Sequence, residues 1–202
     1  MIESLPLITV FIPSYNMGET IEQAISSVLS QTYSNLEIII IDDGSTDSTE
    51  EKCKLFLNGG QREDTRVQYL KTKNNGRAGA INIGAKSAKG EFYTVLDADD
   101  TLPEDSIKKR FEGFDSNVKS VYGNANYISS GSSKIRKSRQ VNSVYQLLGA
   151  LTTHVIGPTI MMRADVFTSI GGFDIKYLRA EDDAINLSLF NVGGMKYIDE
   201  LV

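Results

Sequence analysis

Four short apolar runs, each separated from the next by a stretch with helical spacing, restrict this chain to very few architectures. LITVFI (7–12), LEIIIID (36–42), RVQYLK (66–71) and EFYTVL (91–96) are each strand-length. The first two are apolar at nearly every position, the signature of strands covered on both faces. Between them, Glu19 to Leu29 places Ile21, Ala24, Ile25, Val28 and Leu29 on one helical stripe. Ser45 or Thr46 can cap a second helix running to about Leu57, and NNGRAGA (74–80) leads into a third that ends near Lys89, with Gly90 as its C-cap. Strand, helix, strand, helix with short connections predicts βαβ units and an α/β fold on a mostly parallel sheet.

After residue 100 the pattern loosens. The spacing predicts a helix beginning at Leu102-Pro103, a strand over 118–128 and a polar loop over 129–140. A short helix over 143–150, a strand over 158–163 and a helix over 165–170 ended by Gly171-Gly172 follow. A clearer helix, Glu181 to Phe190, precedes a strand, MKYIDELV, that runs to the last residue. The 202 residues show no internal repeat and no low-complexity linker, so a single domain is expected. The abrupt end leads us to expect a longer protein trimmed here.

The residue inventory excludes several chemistries. One histidine, His154, rules out a multi-histidine zinc site, and no G-x-S-x-G elbow accompanies it. One cysteine, Cys53, excludes an internal disulfide and reads as a buried filler in a reducing compartment. A net charge of −5 argues against a nucleic-acid binder. No apolar run is long enough to span a bilayer, and no signal peptide is expected at the N-terminus. Any catalysis must therefore rest on carboxylates.

In open parallel sheets, ligands sit outside the carboxyl ends of the strands. The polar clusters fall at that edge: PSYN (13–16), DDGSTD (42–47), NNGRAG (74–79) and DADD (97–100). Neither G-x-G-x-x-G nor a P-loop is present, so no glycine loop cradles phosphate. DDGSTD reads either as a capping turn or as a place where Asp43 meets a nucleobase or ribose. DADD crowds Asp97, Asp99 and Asp100 behind a buried strand, and like charges this close repel. A divalent cation would neutralise them, and Mg²⁺ or Mn²⁺, which share their shell with waters and substrate phosphates, suit few hard oxygen ligands. AEDDA (180–184) reads either as an acidic first turn favoured by the helix dipole or as the seat of a general base.

FIPSYN (11–16), IDDGSTDST (41–49), NNGRAGAINIGAKSAKGEF (74–92), LDADD (96–100), GGFD (171–174) and AEDDAINLSL (180–189), in this order and spacing, resemble the family-2 glycosyltransferases with the GT-A fold. The resemblance covers nearly the whole chain. It implies a Rossmann-like, mostly parallel sheet flanked by helices, with a nucleotide-binding half over 1–100 and an acceptor and catalytic-base half over 101–202. The implied activity is inverting transfer of a hexosyl or N-acetylhexosaminyl group from a nucleotide diphosphate sugar, a UDP-sugar first, to a saccharide or lipid-linked saccharide acceptor. Mn²⁺ or Mg²⁺ is the implied cofactor, and polysaccharide or glycoconjugate synthesis the implied setting, in the cytoplasm or at the inner face of the membrane.

Position by position, the resemblance puts Pro13, Ser14 and Tyr15 around the base and Asp43 on it. Arg77 or Lys73 would help with the pyrophosphate, and Asn82 would brace the loop. Asp97 and Asp99 match the family's D-x-D, with Asp100 a further candidate because the run can be read in two overlapping ways. Asp99 is the first choice as metal ligand. Asp182 matches the catalytic base; Asp183, about 100° around the helix, does not share its direction. A non-turning sugar-nucleotide-binding module and a nucleotidyltransferase stand as alternatives. KIRKSR (134–139) is either a solvated loop or a place where Arg136 or Arg139 meets an anionic acceptor or a membrane surface. His154 reads as structural or as a neighbour of the sugar.

Overall fold

The structure, a computed structural model, describes residues 5–129, 132–143, 157–177 and 180–202. β1 (Ile8–Ser14) lies between β2 (Leu36–Asp42) and β4 (Phe92–Val95), parallel to both, and β3 (Val67–Lys71) extends the parallel set beyond β2. Every residue of β1 and β2 is buried. Alternation divides them: Val10, Ile12, Ile38 and Ile40 enter one core, and Phe11, Ile39 and Ile41 enter the other. Each core is capped by helices, giving three layers.

The first core is covered by α1 (Ile21–Leu29), α2 (Thr49–Lys54) and α4 (Ser106–Glu112). In α1 the buried residues are Ile21, Ala24, Ile25 and Val28, the expected stripe. Burying each large aliphatic side chain contributes about 1.5–3 kcal/mol. The second core takes Ala78, Ala80 and Ile81 of α3 (Gly76–Ala85), Val166 and Phe167 of α5 (Ala164–Ser169), and Ile185 and Leu189 of α6 (Glu181–Val192).

Past β4 the sheet turns mixed. β7 (Met161–Arg163) is antiparallel to β4 and to β5 (Ser120–Ser129), and β8 (Met195–Leu201) runs parallel to β5. Met161 and Met162 are core, as expected, and so is Cys53, whose thiol burial pushes up to about 12. Among the described residues no helix is long and apolar enough to cross a membrane.

Several boundaries differ from the sequence-based expectation. Residues 132–136 form a strand, β6 (Ser132–Arg136), antiparallel to β5, where a loop was predicted; all five residues are exposed, so no apolar alternation marks them. α2 begins at Thr49 because Ser45 and Thr46 are used elsewhere: Ser45 Oγ accepts from the Asn16 amide at 2.9 Å and the Thr46 amide donates to Asn16 Oδ1 at 2.9 Å, while Asp47 accepts from the Gly18 and Thr49 amides. α3 stops at Ala85, and Gly90 is no C-cap. A Cβ at Gly90 would stand 2.4 Å from Thr9 Oγ1, so the glycine permits close approach of the chain to β1. Pro103 precedes α4, its carbonyl accepting from the Ser106 amide at 3.0 Å. Gly171 and Gly172 do end α5, with φ of 83° and 74°. The predicted helix over 143–150, apart from its first residue, and His154 lie outside the described residues.

Candidate active site

Because β1 to β4 run parallel, Ser14, Asp42, Lys71 and Val95 all end at one edge of the sheet. The loops that leave them enclose a cavity of about 330 Å³, lined by Pro13, Ser14, Tyr15, Asp43, Arg77, Asp97 and Asp99 among others. The Ser14 hydroxyl is buried with no hydrogen-bond partner among the described residues, and Tyr15 is half exposed at the mouth. Asn16 holds a positive φ of 54° and accepts from the Thr46 amide at 2.9 Å, tying the first loop to the second.

The two aspartates of DDGSTD have separate duties. Asp42 is fully buried; its Oδ1 accepts from the Ser45 amide at 2.7 Å and its Oδ2 from the Tyr69 hydroxyl at 2.5 Å. Asp43 clamps the third loop, accepting from the Asn75 amide at 2.9 and 2.8 Å and from the Thr72 hydroxyl at 2.6 Å. Asn75 and Thr72 were not singled out from sequence, since one contributes a backbone amide and the other a common hydroxyl. Lys73 belongs to this loop and does not line the cavity.

Arg77, in the first turn of α3, supplies the positive charge that the aspartate run needs. Its Nε donates to Asp97 Oδ1 at 2.7 Å and its Nη1 to Asp182 Oδ1 at 2.9 Å, the second partner lying 105 positions away in sequence. The guanidinium also lies 5.9 Å from the centre of the Phe173 ring. Phe173 is placed by Asn82, whose amide donates to the Phe173 carbonyl at 2.7 Å and accepts from the Phe173 amide at 2.9 Å. Asp182 opens α6, so its height at the crevice follows from where that helix starts. Burial pushes its carboxyl above the ordinary aspartate range; Arg77 pulls the other way and Asp97 adds to the rise. Asp182 Oδ2 takes no hydrogen bond from a described residue.

Among the described residues no group of three or more acidic, histidine or cysteine side chains is arranged to hold an ion. Asp97 Oδ1 is engaged by Arg77, and its Oδ2 takes no hydrogen bond from a described residue. Asp100 is exposed as a residue, yet the partial desolvation of its carboxyl, with the charges of Asp97 and Asp99, raises it against the pull of Arg77. Asp99 is exposed, lines the cavity and takes no hydrogen bond among the described residues. One or two such carboxylates fit an ion that draws its remaining ligands from water and phosphate.

The profile of Glycosyl transferase family 2 matches residues 9–171. Among curated proteins, the chain is 41% identical over 107 residues to Glycosyltransferase GlyG of Streptococcus pneumoniae, covering 52% of this chain and 34% of that protein. It is 29% identical over 209 residues to the chondroitin synthase of Escherichia coli, covering 99% of this chain and 29% of that one. The chain thus spans about a third of these relatives. Among solved structures, S. aureus TarS in complex with UDP-GlcNAc superposes with a TM-score of 0.73 at 19% identity, over 96% of this chain and 56% of that one. The mannosyltransferase PcManGT from Pyrobaculum calidifontis, in complex with GDP-Man and Mn²⁺, gives 0.73 at 20% identity, over 98% and 56%. The fold is GT-A.

Proposed function

The chain belongs to glycosyl transferase family 2, and on that premise we propose that it moves a sugar from a nucleotide diphosphate donor to an acceptor hydroxyl with inversion. The observation that carries the reading is the bridge of Arg77 between Asp97 and Asp182, which joins a donor-side carboxylate to a base-side carboxylate across one crevice. The donor belongs to residues 1–100 and the acceptor to residues 101–202. Structural neighbours hold UDP-GlcNAc and GDP-Man, and a UDP-sugar is the first candidate here.

In this reading Pro13, Ser14 and Tyr15 surround the base, and the unpartnered Ser14 hydroxyl is available to it. Asp43 acts on the base side while holding the Thr72–Asn75 loop in place. Asp99, with Asp97 and Asp100 beside it, would hold Mn²⁺ or Mg²⁺; such an ion stabilises the negative charge that develops on a departing diphosphate. Arg77 contributes a fixed cation next to the same diphosphate.

Asp182 is the general base. Arg77 fixes its Oδ1, which leaves Oδ2 to accept the proton of the incoming hydroxyl. As that proton passes to Asp182, the acceptor oxygen bonds the anomeric carbon and the bond to the diphosphate breaks on the opposite face. No covalent nucleophile is required. The acceptor is a saccharide or a lipid-linked saccharide.

The test is release of free nucleotide from UDP-sugars and GDP-sugars with Mn²⁺, comparing wild type with Asp182→Asn. A positioned base contributes about 10²–10⁴-fold, so Asp182→Asn should lower turnover by at least about 10²-fold while leaving nucleotide affinity unchanged. Full activity in Asp182→Asn would remove the base assignment.

A further inference from the structure

β5 runs parallel to β4, because each is antiparallel to β7. Val121 and Thr94 both pair with Met161, so Tyr122 lies level with Val95, the last residue of β4. Beyond that level, Ala125 to Ser129 pair only with β6 among the described residues. At about 3.4 Å per residue, this two-stranded ribbon rises roughly 17 Å past the edge where the candidate site opens, on the side away from β2 and β3.

A ribbon of two strands standing clear of the sheet is marginal by itself. This one leaves Tyr127, Ile128 and Ile135 at 67, 73 and 54% exposure. Tyr127 lies directly opposite Lys134, and Arg136, opposite Ala125, falls on the same face. Its charge is one-sided. Residues 116–164 hold six of the 21 lysines and arginines and none of the 26 acidic residues, in a chain whose net charge is −5. Lys119 and Lys137 are engaged, with the Val192 carbonyl and Asp199, and Arg163 sits at the opposite edge of the sheet, beside Phe92. Lys134 and Arg139 are exposed along the ribbon and just after it, and Arg136 is exposed there with an interaction of its own.

We propose that the β5–β6 ribbon docks the acceptor, and that the acceptor is a saccharide chain bearing carboxylate or phosphate groups. Charge complementarity carries the choice: the cation of the crevice, Arg77, is already committed to Asp97 and Asp182, so an anionic chain is held where the cations of the ribbon are. An exposed tyrosine ring facing a lysine across the ribbon suits a sugar ring whose apolar face stacks while its acid group meets the cation. The acceptor role rests on the transferase reading above; the binding surface does not.

The test measures binding of labelled tetragalacturonate, an oligo(glycerol phosphate) and neutral maltotetraose to wild type and to Lys134→Glu/Arg136→Glu, with UDP plus Mn²⁺ titrated in parallel and phosphatidylglycerol vesicles as a lipid arm. At least one anionic oligomer should bind tenfold tighter than maltotetraose, weaken at least tenfold in the double variant and weaken with salt, while UDP binding is unchanged. Equal binding of the neutral oligomer, unchanged binding in the variant, or capture by the vesicles alone overturns the proposal. Anionic oligomers bound through the ribbon with no UDP binding would instead overturn the transferase reading and the acceptor role together.

Discussion

A guanidinium meeting two carboxylates at 2.7 and 2.9 Å has consequences for both, so the clearest residue-scale tests centre on Arg77. Removing it leaves Asp97 and Asp182 facing each other with no charge between them, and frees Asp182 Oδ1 to rotate. We expect Arg77→Ala to lower donor turnover on the order of 10²-fold, a misplaced-base effect, with Arg77→Lys restoring only part because lysine cannot span both partners in a fixed fork. Steady-state kinetics decide; near-normal turnover in Arg77→Ala would refute the bridge. The pH profile gives a second check. Asp182 works as a base only when deprotonated, and burial raises its pKa, so activity should fall with decreasing pH at values above the ordinary aspartate pKa of about 3.9. Because Arg77 pulls that pKa down, the acid limb in Arg77→Ala should move further up. An acid limb at the ordinary value in both proteins would contradict the assignment. From the sequence, Asp97, Asp182 and Arg77 could each be picked out. Their meeting at one guanidinium could not, because it depends on three elements closing on one point across 105 positions of chain.

At the scale of elements, two connections hold the site's halves together. Asn82 of α3 grips both backbone groups of Phe173, and Phe173 lies in the segment that leads to α6 and Asp182. Asn82→Ala orphans a buried amide and carbonyl, at a cost of about 1–3 kcal/mol each, and should reduce urea stability and turnover together. Unchanged turnover would separate the clasp from the base. Arg110 of α4 is completely buried with no carboxylate paired to it among the described residues; its guanidinium donates to the Thr94 hydroxyl at 2.6 Å and the Ser106 hydroxyl at 3.0 Å. Arg110→Ala should cost about 2–5 kcal/mol in equilibrium unfolding, since a large cavity opens between α4 and β4. A change under about 0.5 kcal/mol would mean the side chain is not packed as described. The first two strands were legible because each is apolar at nearly every position, and all four because helical spacing separates them. β6 was not, because its five exposed residues are held by pairing to β5 rather than by burial. The start of α2 was misplaced for a related reason: Ser45 and Thr46, good capping residues by type, bond instead to Asn16 in the loop after β1.

For the whole molecule, the architecture splits the work between two cores and two ends of one sheet. β1, β2 and β4, buried along their whole length, with β3 beside them, give a rigid edge on which four loops converge, while the mixed strands beyond β4 carry the helix with Asp182 and the basic ribbon. This division was readable in outline from the change of pattern near residue 100, although the antiparallel insertion of β7 between β4 and β5 has no signal in a three-residue strand. A ligand that binds only the folded state at a hundredfold its Kd stabilises by about 2.7 kcal/mol, so donor binding should raise the melting temperature measurably. The measurement that tests the central claim most directly is calorimetric titration of UDP, GDP and dTDP, each with and without Mn²⁺, on wild type and Asp99→Ala. The account predicts that one nucleotide binds, that Mn²⁺ strengthens it and that Asp99→Ala abolishes the metal's contribution. Failure of every nucleotide to bind with the ion present would contradict it.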